Sequence, residues 1–91
     1  MNAKQRTQLQ ARLAEGLDLA GRLQDVVSQL EELTETEREK LDNMPENLQR
    51  SERGEQMQEQ VDTLESVCDT LGSALDDIET ALTDLDAVVT A

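Results

Sequence analysis

The 91-residue chain contains no Phe, Tyr, Trp or His. A globular core of this size usually leans on aromatic rings, each of which buries a large apolar area. Without them Leu, Val, Ile, Met and Ala must make every packing contact, which suits helix against helix. The missing rings also remove any platform on which nucleotide bases stack. The missing histidine removes the commonest general acid–base group. No nucleophile stands beside a base and no glycine-rich phosphate loop is present, so the composition points away from an enzyme and implies no cofactor. A single cysteine, Cys68, forbids an intrachain disulfide or a multi-thiolate metal site and fits a reducing compartment. One proline and four glycines leave room for long uninterrupted helices.

Positive charge is scarce: eight Lys and Arg stand against 21 Asp and Glu, for a net charge of −13. That argues against direct contact with nucleic acid or an anionic membrane, whose phosphates call for Lys and Arg. It fits a basic protein partner, or plain solubility. No apolar run approaches the length of a membrane span. The start, Met1-Asn2-Ala3-Lys4-Gln5-Arg6, leads into no apolar stretch, so no secretory signal is read there.

What is present is a heptad seam. Met57, Val61, Leu64, Cys68, Leu71, Leu75, Ile78, Leu82, Leu85 and Val89 alternate steps of four and three without a miss. Such a row marks one face of a long helix that needs a partner. Val67, Ala74, Ala81 and Val88 form a second line beside it. Upstream, a helix over about 4–42 carries Leu9, Leu23 and Leu30 at heptad position a, Leu19, Val26 and Leu33 at d, and Leu13, Ala20, Val27 and Leu41 at e. Gly16 falls at an a position, where close helix approach would use it. Its charge-dense end, Glu31 to Asp42, is expected to rest less firmly on its neighbour.

Between the two lies a connector over about 43–51. Asn43 and Pro45 stop the first helix, Pro45 opens a short helical turn at its first position, and Leu48 plugs the end of the core. Ser51 caps a second helix over about 52–89, with Glu52 and Glu55 in its favourable first turn. Two helices of nearly equal length around one compact turn predict an all-α, antiparallel two-helix hairpin, coiled-coil-like, as a single domain. A turn near Leu48 would bring Arg12 level with Asp84, Arg22 with Asp76 or Asp77, and Arg38 with Glu59. Both helices carry stripes wider than one partner covers, so the hairpin is expected to form a homodimer as a four-helix bundle.

Asp42-Asn43-Met44-Pro45-Glu46-Asn47-Leu48-Gln49-Arg50-Ser51-Glu52-Arg53-Gly54-Glu55 resembles a turn pattern, D-N-[ML]-P-E-N-L-Q-x-S-x-R-G-E, of small acidic helical-hairpin proteins of phage and prophage origin. The strict match covers about 14 residues; the flanking acidic heptads are generic. The resemblance implies a phage-type accessory protein in the cytoplasm of a bacterial host, and it carries no settled activity.

Two features are candidates for partner binding. Glu46, Asn47, Gln49, Arg50 and Arg53 form a possible contact patch on the turn, of which Asn47, Gln49 and Arg50 are not demanded by turn chemistry. The structural alternative has Gly54 permitting close packing and Arg53 bonding the carbonyls that end the first helix. The second feature is an acidic face: Glu55, Glu59, Asp62, Glu65, Asp69, Asp76, Glu79 and Asp86 lie close to one line, and no Lys or Arg follows Arg53. Its plain reading is a solvated surface; its sharper reading is imitation of a nucleic-acid backbone, which would inhibit a host nucleic-acid-binding or defence protein. Asp76, Asp77 and Glu79 form a carboxylate cluster without calcium-loop spacing, so no metal site is assigned. Cys68, at an a position, reads as a buried thiol. The expected function is non-enzymatic binding of another protein as adaptor or inhibitor, with the DNA mimic and a structural or assembly element as alternatives.

Overall fold

The computed structural model describes residues 1–91 and contains only helices: α1 (Ala3–Asp42), α2 (Glu46–Gln49) and α3 (Glu52–Val89). The chain divides into two compact units. One holds Met1–Asp25 with Gly72–Ala91, the other Val26–Leu71. They are called here the terminal unit and the turn unit. Within each, α1 and α3 pair antiparallel, as the sequence predicts. In the terminal unit Arg6 reaches the carbonyls of Val88 and Val89, and Gly16 faces Leu82. In the turn unit Thr34 meets Cys68 and Arg38 meets Glu65.

Each helix end has a local cause. At the start of α1, Asn2 Oδ1 accepts from the Gln5 backbone N–H at 2.8 Å and Gln5 Oε1 accepts from the Asn2 N–H at 3.3 Å. This reciprocal cap satisfies two donors that the first turn would otherwise leave unpaired. At its other end α1 stops at Asp42, directly before Asn43, as the sequence predicts. No residue adopts a positive φ, so Asn43 makes no left-handed cap. The last turn tightens instead, with Met44 N–H donating to the Leu41 carbonyl at 3.1 Å. Gln49 Nε2 then donates to the carbonyls of Leu41 at 3.1 Å and Met44 at 2.8 Å. Gln49 thus fills the capping role expected of Arg53, which is exposed and takes no part in it. Pro45 stands one place ahead of the expected first helical position: it is the N-cap of α2, its carbonyl accepting from Leu48 and Gln49. Ser51 caps α3 as predicted, accepting from Gly54 N–H at 3.2 Å while its hydroxyl donates to the Leu48 carbonyl. Replacing Gln49 with Ala leaves two carbonyls without their side-chain donor. We expect a loss of about 1–2 kcal/mol, read as a lower midpoint in urea with unchanged slope, where Asn47→Ala moves it little.

The buried row on α1 is Leu13, Ala20, Val27, Thr34 and Leu41, one residue per heptad. These occupy the e positions of the predicted frame, so the contact with α3 is centred on e and a, not on a and d. Leu19, Val26 and Leu33, the d positions of the predicted stripe, stand 59%, 47% and 63% exposed and form the part that α3 does not cover. On α3 the buried residues are Val61, Leu75 and Val89. Met57, Leu64, Cys68, Leu71, Leu82 and Leu85 are half-buried, and Ile78 is exposed. Cys68 is therefore only partly enclosed, 3.6 Å from the hydroxyl of Thr34, which also donates to the Leu30 carbonyl at 2.6 Å.

The predicted ion pairs are corrected. Arg12 bonds Glu15 and Arg22 bonds Asp18, each within α1. Only Arg38 crosses to α3, and it meets Glu65 at 2.6 Å and Asp62 at 3.4 Å rather than Glu59. The level pairs of the turn unit are centred near Ser51, not Leu48, because α2 adds a turn against the end of α1 before α3 begins. The segment Glu31 to Asp42, expected to sit loosely, is held by the buried Thr34 and Leu41 and by Arg38.

Gly16 supports the close-approach reading: a Cβ there would come 2.7 Å from the Leu82 Cδ2, a side-chain tip that can move. Gly21 and Gly72 have nothing within 4 Å of a Cβ and no positive φ. Both carry the entropic cost of glycine inside a helix without a packing benefit. The double change Gly21→Ala, Gly72→Ala should add about 1–2 kcal/mol, read as a thermal midpoint higher by roughly 5–10 °C.

Candidate interaction surfaces

The turn patch is built on α2 and the first turn of α3. Glu46 and Arg50 form an ion pair one helical turn apart, with both side chains 77% exposed. Asn47 and Arg53 are exposed. Gln49 is half-buried and committed to the end of α1, so it leaves the patch. Leu48, expected to plug the core, stands 48% exposed, and α2 has no buried residue. The surface on offer is an apolar Leu48 among Asn47, Arg50 and Arg53. What holds this connector against α3 is Gly54. It is buried, and a Cβ on it would lie 2.7 Å from the Gln49 backbone carbon and closer still to the carbonyl oxygens of Leu48 and Gln49.

The acidic face is exposed at every predicted position: Glu55, Glu59, Asp62, Glu65 and Asp69 in the turn unit, Asp76, Glu79 and Asp86 in the terminal unit. The row is not uniformly free. Asp62 accepts from Gln58 at 2.8 Å and from Arg38, and Glu65 takes two bonds from the same guanidinium. The hydrogen bonds that Arg38 donates to Glu65, joined by the charges of Glu65, Asp42 and Asp62, outweigh the opposing effect of partial burial and hold the guanidinium above its ordinary pKa, so its charge persists throughout the range in which the chain is handled. No group of three carboxylates or thiols converges as a metal ligand set.

The third surface is apolar. On an antiparallel pair whose contact is centred on e of α1 and a of α3, positions a and d of α1 and d and g of α3 turn toward the same side. In the terminal unit that side carries Leu9, Leu19, Leu23, Ile78, Leu85 and Val88. In the turn unit it carries Val26, Leu30, Leu33, Leu64, Val67 and Leu71. All twelve are half-buried or exposed. At one end of the turn unit's face, Glu37, Met57, Gln60, Val61 and Leu64 line an open groove of about 600 Å³. Comparison with protein-family models, with curated proteins and with solved structures found no match. The reading of these surfaces therefore rests on their own chemistry.

Two contributions escaped the sequence pattern. Arg6 Nη1 donates to the carbonyls of Val88, Val89 and Ala91 at 3.3, 3.0 and 2.8 Å. It places a cation at the C-terminal end of α3, where the helix dipole favours one and where Asp84 and Asp86 oppose it. Its signal was available, since Arg6 continues the seven-residue row of Leu13 and Ala20. Gln49 had no signal in periodicity, because its role depends on where α2 folds. No helix is long and apolar enough to cross a membrane.

Proposed function

We propose that this chain is a non-enzymatic protein-binding protein, a phage-type accessory factor acting as adaptor or inhibitor in the bacterial cytoplasm, and that it works as a homodimer of helical hairpins. The observation that carries the reading is the apolar side left open in each unit. Seven apolar residues are buried, one of them an alanine, whereas nine large apolar residues stand exposed. Scattered exposed Leu is ordinary, but most of these recur at heptad positions on one side, as in one half of a bundle core. So thin a buried row is also little to hold two long helices folded. A second copy covering that side completes a core and leaves the turn patch and the acidic face free for a partner.

Leu48 with Asn47, Arg50 and Arg53 supports docking of a protein through the turn. The exposed acids of α3, unbroken by any base after Arg53, favour the second reading, an acidic decoy for a nucleic-acid-binding protein; the capture of Asp62 and Glu65 by Arg38 weakens it. The test uses a partner captured from host lysate by the wild-type chain and then purified. An adaptor binding through the turn loses it on Asn47→Ala with Arg50→Ala, and the affinity changes little with salt. A decoy keeps binding in that variant, loses affinity steeply with salt, and is displaced by duplex DNA. A structural element binds neither way and forms larger assemblies of its own.

A further inference from the structure

We infer that the second copy docks with its turn at the same end as the first, so that α1 of each subunit runs along α3 of the other, and that Arg12 and Arg22 then pair with the partner's Asp84 and Asp77. The inference rests on the dimer reading above and gives it a geometry.

Opposite charges border the apolar side of the terminal unit. On α1, Arg22 at position g stands at its outer edge, and Arg12 at position d rises from the side itself on a side chain long enough to carry its charge to that edge. On α3, Asp77 and Asp84 at position c stand at the opposite edge. Arg12 and Arg22 keep 69% and 73% of their side chains exposed and bond only Glu15 and Asp18 of their own helix. Asp77 and Asp84 are exposed and have no hydrogen-bond or ion-pair partner within the chain. Opposite charges therefore line opposite edges of one apolar face. They sit too far from the α1–α3 contact to meet inside one hairpin.

Two such faces can meet in two symmetric ways. With the two-fold axis along the helices, the α1 edge of one copy meets the α3 edge of the other. The levels set by Gly16 with Leu82 and Arg6 with Val89 then bring Arg12 level with the partner's Asp84. Arg22 comes within a residue or two of the partner's Asp77, a gap its long side chain spans. With the axis across the helices, α3 lies on the partner's α3. That helix has ten acids and no base after Arg53, so like charges line the contact and oppose it. Charge thus selects the first arrangement.

The test is a charge exchange between two full-length variants. One carries Arg12→Asp and Arg22→Asp, the other Asp77→Arg and Asp84→Arg. Each alone is expected to self-associate on the order of a hundredfold more weakly than wild type, since attractive pairs become repulsive on both halves of the two-fold. Mixed one to one, they should recover wild-type affinity as a heterodimer, because each mixed contact is again Arg against Asp. Variants that dimerise like wild type, or a mixture that stays monomeric, overturn the arrangement while leaving the dimer standing. A monomeric wild type defeats the dimer and the arrangement together. Should either variant lose its helical circular dichroism, nitroxides on Asn47→Cys in a Cys68→Ser background give the answer independently. Neighbouring helices pack about 10 Å apart, so the labels of one dimer should lie within roughly 3 nm. A separation well beyond that overturns it.

Discussion

Gly54→Ala should be among the most damaging single changes in this chain. Alanine normally improves a helix interior by up to about 1 kcal/mol, and Gly54 has no positive φ to protect. What opposes the change is backbone. The added Cβ would collide with the carbonyls of Leu48 and Gln49, and these cannot swing aside as a side chain can. The residues that must move carry the bonds ending α1 and starting α3, from Gln49 to Leu41 and Met44 and between Ser51, Leu48 and Gly54. Overpacking of this kind costs about 1–3 kcal/mol, and the loss of connector bonds adds to it. A net loss of about 2–3 kcal/mol should lower the thermal midpoint by roughly 10–20 °C in a chain of this size. Gly21→Ala is the matched control. The same substitution in open space should raise the midpoint, so the pair tests the packing argument by a change of sign.

Leu19→Lys with Leu33→Lys should abolish self-association while leaving the hairpin helical. Both leucines are about three-fifths exposed in the single chain, so in a monomer a Lys at either site is accommodated at a cost within about 0.5 kcal/mol. In a dimer each of them sits in the apolar contact, and the symmetry of the pair buries four charges without partners. An unpaired buried charge costs several kcal/mol, so the double substitution should weaken self-association by at least about a thousandfold. Circular dichroism at high concentration should stay close to wild type, and the mass in solution should fall to one chain. The control is Leu17→Lys, which is 56% exposed but falls at heptad position b, away from the apolar side. That change should leave the dimer intact.

The two long helices were legible because a strict four-three alternation allows little else, and their antiparallel pairing because nearly equal lengths flank one compact turn at Pro45. Ser51 as a cap and Gly16 as a point of close approach followed from the same local rules. The register was not legible. It depends on α2 taking up chain between Pro45 and Gln49, and a periodic helix offers equivalent contacts at every heptad. The part of the α1 stripe that meets α3 was left open for a related reason. Three apolar positions per heptad, a, d and e, do not say which two meet the neighbour within the chain. The burial of Leu13, Ala20, Val27 and Leu41 settles it for e and leaves Leu19, Val26 and Leu33 open. Leu48 was misread because a lone apolar residue beside a proline looks like a plug, whereas the side-chain amide of Gln49 closes the end of α1 instead. The acidic positions were read correctly as exposed, but the pattern did not show that Arg38 occupies two of them.

Sedimentation equilibrium of the wild-type chain decides whether the open apolar side of the hairpin belongs against a second copy. The expected mass is about twice the chain's 10.1 kDa at micromolar concentration, falling to one chain in the Leu19→Lys, Leu33→Lys variant. A folded wild-type chain sedimenting at 10.1 kDa across that range would contradict it.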